Sequence, residues 1–208
     1  MGIAAYRFLA WLPGLFLAGL LVACGGSSPR LSPLAQGDVV LAFGDSLTRG
    51  TGAALEESYP AQLQAIIGRP VVNAGVPGET TAEGLSRLPG ALAEHKPRLL
   101  LLCLGGNDIL RRQDGALTAD NLRAMVRLAR ERGVEVALIG VPELGLFTGA
   151  PAFYAEIAAE FGLPYEGDVF NEVLKDPRLK SDPIHANGRG YSVVAQRLAE
   201  MLRKAGAV

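Results

Sequence analysis

Apolar residues along this chain fall into short unbroken runs, separated by longer segments in which they recur every three or four positions. The unbroken runs are Val39 to Phe43, Pro70 to Asn73, Leu99 to Leu104 and Val134 to Gly140, with a shorter fifth around Leu163 to Tyr165. Runs of this length without polar alternation predict strands covered on both faces. The intervening segments read as helices. Ser58 is placed to cap one, with Pro60 in its first turn and Leu63, Ile66 and Ile67 behind it. Thr80-Thr81-Ala82-Glu83 matches a capping box. Leu122, Met125, Val126 and Ala129 form a stripe that Gly133 stops, and Tyr191, Val194, Ala195, Leu198 and Leu202 form another. Strands alternating with helices predict an α/β domain: a doubly wound, flavodoxin-like three-layer fold around a parallel sheet of about five strands. In such folds the site lies outside the carboxyl ends of the strands, where Ser46, Gly78 and Asn107 all fall. No internal repeat or second domain is evident.

The first 23 residues break this pattern. Met1 to Ala23 carries one charge, Arg7, and then long apolar stretches interrupted by Pro13 and Gly14. A charged start, an apolar middle and small residues before a break describe a secretory signal peptide. A membrane-spanning helix needs about 20 consecutive apolar residues, which the interruption denies it. Leu21-Val22-Ala23-Cys24 resembles the lipobox of bacterial lipoproteins, and Gly25 to Pro29 reads as a flexible tether. The resemblance implies cleavage before Cys24 and lipidation of that residue, hence an exported, membrane-anchored protein of the bacterial cell envelope. Ordinary cleavage nearby, with Cys24 a free thiol, is the alternative. The expected organisation is therefore a signal peptide over residues 1–23, a lipidated cysteine and tether over 24–37, and a domain over 38–208.

Removing 23 of the 208 residues leaves 185, enough for one domain with a sizeable core. Loss of Arg7 shifts the net charge only from −1 to −2. No basic run or patterned aromatic surface favours nucleic acid. Cys103 lies inside an apolar run and reads as a small core residue. With two histidines and no Cys/His cluster at ligand spacing, no metal or cofactor is expected.

The chemistry-bearing residues stand just past the predicted strands. Phe43-Gly44-Asp45-Ser46-Leu47 puts a serine one tight turn beyond the first run, and Gly44 permits the turn. A serine hydroxyl is a weak nucleophile unless a base takes its proton and a third group orients that base. Asp182-Pro183-Ile184-His185 supplies both, with a carboxylate three residues before the imidazole. A plain helix N-cap is the ordinary alternative for Ser46. The other histidine, His95, precedes Pro97 at a helix end and reads as a surface residue. Acyl transfer also needs donors for the developing oxyanion. The Ser46 N–H, the Asn107 side-chain amide and an N–H from Gly75 or Gly78 are candidates. Asp45 and Asp108 adjoin these positions and are expected to hold them by hydrogen bonds. The apolar segment from Val141 to Gly149 either walls a substrate pocket or packs on the core.

Gly44-Asp45-Ser46-Leu47, Asn73 to Thr80, Gly105-Gly106-Asn107-Asp108 and Asp182-Pro183-Ile184-His185 together resemble the SGNH (GDSL-type) serine hydrolases, above all the small bacterial thioesterase, lysophospholipase and arylesterase group. The resemblance covers nearly all of the domain. It implies Ser46, Asp182 and His185 as the catalytic triad, and Ser46, Gly78 and Asn107 as the oxyanion hole, with Gly75 left as a turn glycine. Two departures fall beside His185: Ala186 stands where the family usually has proline, and Pro183 where this group often has glycine. The implied activity is hydrolysis of carboxylic esters, with thioesters or lysophospholipids as further small-molecule or lipid substrates, through an acyl-serine. A carbohydrate O-deacetylase of the same family and a catalytically silent envelope-binding lipoprotein are the rival readings.

Overall fold

The computed structural model describes residues 1–2, 29–143 and 149–208. Cys24 and the leader therefore lie outside the described residues, as do residues 144–148 of the apolar loop. In chain order the elements are β1 (Val40–Gly44), α1 (Ser46–Arg49), α2 (Tyr59–Ile67), β2 (Val71–Gly75), α3 (Thr81–His95), β3 (Leu99–Cys103), α4 (Gly106–Leu110) and α5 (Gly115–Glu131). They continue with β4 (Glu135–Ile139), α6 (Ala152–Phe161), β5 (Tyr165–Glu166), α7 (Val169–Lys175) and α8 (Gly188–Ala205), and a single 3₁₀ turn spans Leu55–Glu57.

The strands form a five-stranded sheet in the order β2-β1-β3-β4-β5, every pair parallel. All five residues of β1 and of β3 are buried, as unbroken apolar runs require. Helices cover both faces: α2 and α7 pack with α8 on one side, and α5 packs with α3 and α6 on the other. The stripes of α5 and α8 bury every residue named for them, Leu122 and Leu198 completely. Cys103 is buried in β3. The flavodoxin-like α/β fold is as the pattern predicts.

Local signals succeed where the chain is regular. The capping box at α3 is closed in both directions, with Glu83 Oε2 accepting from the Thr80 N–H at 2.8 Å. Ser58 departs from the expected cap. Ser58 occupies the N-cap of α2, but its hydroxyl donates back to the Leu55 carbonyl at 2.6 Å and does not cap. Ile66, expected on the apolar stripe, is exposed, and Tyr59 is buried in its place beside Leu63 and Ile67.

A second correction concerns the tether. Leu31 and Leu34 donate their N–H groups to the carbonyls of Ala205 and Ala207 at the end of α8, each at 2.9 Å. The Ser32 N–H and hydroxyl both bond the Glu135 carboxylate, at 3.0 and 3.1 Å, and Leu34 is only 5% exposed. This stretch is a docked arm at the amino edge of the sheet, so the folded unit begins before residue 38. Leu34→Ala should lower unfolding stability by about 2 kcal/mol, the low end for a buried leucine because the site lies at the margin of the core. Urea unfolding reads the loss, and turnover at 25 °C should not change.

Candidate active site

The site is built at the carboxyl edge of the sheet, and close backbone contact dictates its first residues. A Cβ on Gly44 would stand 2.2 Å from both the Cys103 carbonyl and Thr48 Oγ1. Gly44 is thus required by space and not, as the sequence suggested, by an unusual turn. Gly75 is not a turn glycine either: it ends β2, and a Cβ there would meet the Arg49 backbone at 2.2 Å. Its N–H is taken by Asn73 Oδ1 at 3.0 Å. Two neighbouring strands therefore press α1 against the sheet. Asp45 is the N-cap of α1, its carboxylate accepting from the Leu47 N–H at 3.0 Å. The capping role belongs to Asp45, which leaves the Ser46 hydroxyl uncommitted to the helix.

That hydroxyl meets His185. Ser46 Oγ lies 3.0 Å from His185 Nε2, and His185 Nδ1 lies 2.8 Å from Asp182 Oδ2. The other Asp182 oxygen accepts the N–H groups of Ile184 and His185, both at 2.8 Å. Burial would raise the Asp182 pKa, but the hydrogen bonds from His185 and Ile184 outweigh it and hold the carboxyl below its ordinary value. An imidazole held this way can take a proton from Ser46 and keep its Nδ1–H on the carboxylate.

The departures at Pro183 and Ala186 leave that contact intact. The loop is closed by the Ser181 N–H to the His185 carbonyl at 3.0 Å. Asn187, the N-cap of α8, adds bonds from its amide to the carbonyls of Arg178 and Lys180. Ala186 is buried beneath.

Gly78 and Asn107 come from neighbouring elements. Gly78 follows β2 at φ +82°, a conformation that costs a glycine little. Asn107 sits in α4, its Nδ2 bonding the Glu79 carbonyl at 3.0 Å and Asp45 Oδ2 at 3.3 Å. With Asp45, Ser46 and His185 they line one cleft of about 230 Å³. Its other walls are largely apolar: Pro77, Ile109, Leu110, Val141, Leu174 and Ile184. Of the apolar loop, Val141 and Pro142 reach the cleft. The walls from α4, α7 and Ile184 were not foreseen, because each element contributes only one or two apolar residues with no pattern of their own.

His95 ends α3, whose carboxyl end leads into the start of β3 at the opposite edge of the sheet. Burial lifts the Cys103 thiol far above its usual range, so it offers no competing nucleophile. Among the described residues no group of three His, Cys, Asp or Glu side chains could hold a metal ion.

Acidic side chains support the turn from below. Asp108 accepts both the N–H of Thr81, at 2.9 Å, and its hydroxyl, at 2.6 Å. Glu79 is bidentate to Arg87, with both contacts at 2.6 Å, and the Arg87 guanidinium lies 4.0 Å from the Phe43 ring centre. Among the described residues no cation pairs with Asp45. Burial pushes its pKa up to about 7, opposed by the Leu47 N–H and reinforced by the charges of Glu79 and Asp108.

A serine backed by an imidazole and a carboxylate, at the strand ends of a doubly wound sheet, defines the site as that of an α/β serine hydrolase. Residues 42–193 match the GDSL-like Lipase/Acylhydrolase family, and the chain belongs to it. It is 31% identical over 177 residues to the thioesterase 1/protease 1/lysophospholipase L1 of Escherichia coli strain K12, covering 81% of this chain and 85% of that one. Similarity to the esterase TesA of Pseudomonas aeruginosa is 39% over 116 residues, 53% of this chain and 58% of that one. Among solved structures, the SGNH-hydrolase family esterase AlinE4 superposes with a TM-score of 0.64 at 29% identity, covering 84% of this chain and all 100% of the other.

The Asp45 carboxyl has a measurable signature. Its proton leaves the unfolded chain near 3.8 but the folded protein only near 7. Between these values the folded state binds the proton and the unfolded state does not. The resulting stabilisation is full below the lower value and drains away as pH rises through the upper one. Asp45→Asn removes that slope while keeping a capping side chain. The thermal midpoint of the native protein, relative to the variant, should fall between about pH 4 and pH 8. Parallel midpoints across that range would refute the buried proton.

Proposed function

We propose that this SGNH-family hydrolase cleaves carboxylic esters through a covalent acyl-serine on Ser46, with Asp182 and His185 completing its triad. The hydrogen-bond chain from Asp182 through His185 to Ser46, at the mouth of an apolar cleft, carries the reading. Ser46 Oγ attacks the carbonyl carbon as its proton passes to His185 Nε2. Negative charge then grows on the substrate oxygen, which receives the N–H groups of Ser46 and Gly78 and the Asn107 amide. Both Asn107 Nδ2 hydrogens have partners at rest, and the 3.3 Å bond to Asp45 is the weaker one to surrender. Collapse of the intermediate expels the alcohol or thiol, which takes the proton from His185. Water, deprotonated by the same imidazole, then frees the acid.

Similarity to a thioesterase/lysophospholipase, to an esterase and to an arylesterase of Vibrio mimicus supports thio, lysophospholipid and aryl esters as substrates. The apolar walls favour acyl chains longer than acetyl over a carbohydrate deacetylase. Ser46→Ala and His185→Ala should each cut p-nitrophenyl ester turnover by at least about 10⁴-fold, with the double variant no worse than either, since the residues act as one unit. A fluorophosphonate should label Ser46 in the native protein and leave Ser46→Ala blank. In a chain-length series, activity confined to acetyl would return the deacetylase reading. Full turnover by Ser46→Ala would end the mechanism altogether.

We further propose export to the bacterial envelope and anchoring through lipid on Cys24, supported by the sequence from Leu21 to Cys24. Two acyl signals anchor stably where one is marginal. Expressed in a bacterium from Met1, the protein should fractionate with membranes and incorporate labelled fatty acid, and Cys24→Ser should lose the label. A Cys24 thiol that reacts freely in the mature protein would overturn the anchor.

A further inference from the structure

The loop from Val76 to Glu79 has few handles by which it can be held. The Val76 N–H is fixed to the Gly44 carbonyl at 2.9 Å, and the Glu79 N–H closes a turn onto the Val76 carbonyl at 3.2 Å. Beyond them, the Glu79 side chain is locked by Arg87 and its carbonyl by Asn107. Between these anchored ends, Pro77 has no N–H to donate. The Gly78 N–H has to stay open for the oxyanion. The remaining handles are the carbonyls of Pro77 and Gly78, and the second is gripped.

Arg111 takes that handle. Its Nη2 donates to the Gly78 carbonyl at 2.9 Å. Arg111 caps the end of α4, and its own N–H bonds the Asn107 carbonyl at 3.0 Å, so the two side chains stand one turn apart on one helix face. From there they donate to consecutive carbonyls, Asn107 to Glu79 and Arg111 to Gly78. Glu83, near enough to feel the guanidinium charge, is itself committed to Thr80. Gly78 at positive φ has no side chain to limit its motion. Its carbonyl shares a peptide plane with the Glu79 N–H. The bond to Arg111 and the turn onto Val76 hold that plane from both ends, and with it the Gly78 Cα, whose own N–H lies in the plane before it.

We infer that Arg111 is a positioning residue for the second oxyanion donor: by holding the peptide plane that follows Gly78 it fixes the Cα that carries the Gly78 N–H and so limits where that donor can point. This rests on the acyl-serine reading above. A donor misplaced by a fraction of an ångström retains some interaction, so the effect should be smaller than the 10²–10³-fold cost of removing a donor outright.

The test uses Arg111→Ala and Arg111→Lys with p-nitrophenyl esters. For Arg111→Ala, kcat should fall by about tenfold while KM stays within about twofold, because the donor serves the transition state and not the ground state. Fluorophosphonate labelling should slow in parallel, since its phosphoryl oxygen occupies the same hole. Arg111→Lys should recover part of kcat, and guanidinium at low millimolar concentration should rescue Arg111→Ala but not the native protein. Arg111 is exposed, so thermal midpoints should change little. An unchanged kcat in Arg111→Ala overturns the inference. So does a raised KM with kcat intact, which would make Arg111 a substrate-binding group. Ser46→Ala run alongside separates the two readings. Native turnover that survives in that variant sinks the acyl-serine itself, whereas serine-dependent turnover indifferent to Arg111 sinks only the positioning role.

Discussion

The approach of α1 to the carboxyl edge of the sheet is the constraint on which the rest of the site depends. β1 is paired on both sides, Gly44 against Gly75 on one neighbour and Cys103 on the other. At both Gly44 and Gly75 a methyl group would sit within 2.2 Å of a backbone atom or of Thr48. Interiors packed at crystal density cannot yield by that much. Ser46 is therefore delivered one residue beyond a buried strand, on a helix that cannot retreat. The hydroxyl of Thr48, which faces Gly44, is tied in turn to Tyr59 at 3.0 Å. The position of the Ser46 hydroxyl is a property of the sheet's packing more than of any loop.

Around that fixed point, polar groups are placed where water cannot compensate for them, and each is compensated differently. Glu79 has an arginine, Asp108 has the N–H and hydroxyl of Thr81, and Asp45 has a helix N-terminus and a pKa that burial pushes up to about 7. Asp182, nearer solvent with its side chain 44% exposed, stays ionised and can steady a charged imidazole. Carboxylates close in the fold thus do different work because their surroundings differ. Of the three that adjoin Ser46, Gly78 and Asn107 in sequence, Asp45 and Asp108 hold backbone, hydroxyl and amide groups, and Glu79 holds Arg87.

Much of this was legible in the chain before folding. Strands covered on both faces leave unbroken apolar runs, and these located β1 to β4 to within a residue or two. The ends slipped because the ladders continue into Gly44 and Gly75, where hydrogen bonding outlasts hydrophobicity. β5 is only two residues, too short for a clear pattern. Ser46, Asp182 and His185 were readable because the chemistry constrains residue type and local spacing. The supports were not. The contacts of Arg111 with Gly78 and of Ser32 with Glu135 span 33 and 103 residues, and nothing in either neighbourhood announces its partner. Ser58 misled because a hydroxyl before a helix has two uses, and tertiary context selected the turn behind it.

The docked arm from Leu31 to Leu34 has a geometric consequence. It meets the end of α8 and the first residue of β4, both on the edge where the parallel strands begin. Ser46 lies at the edge where they end, five residues of β1 away, or about 16 Å at the rise of a strand. The arm therefore joins the folded unit at the edge opposite the Ser46 hydroxyl, so what docks the start of the described domain and what opens to substrate are kept a full strand length apart.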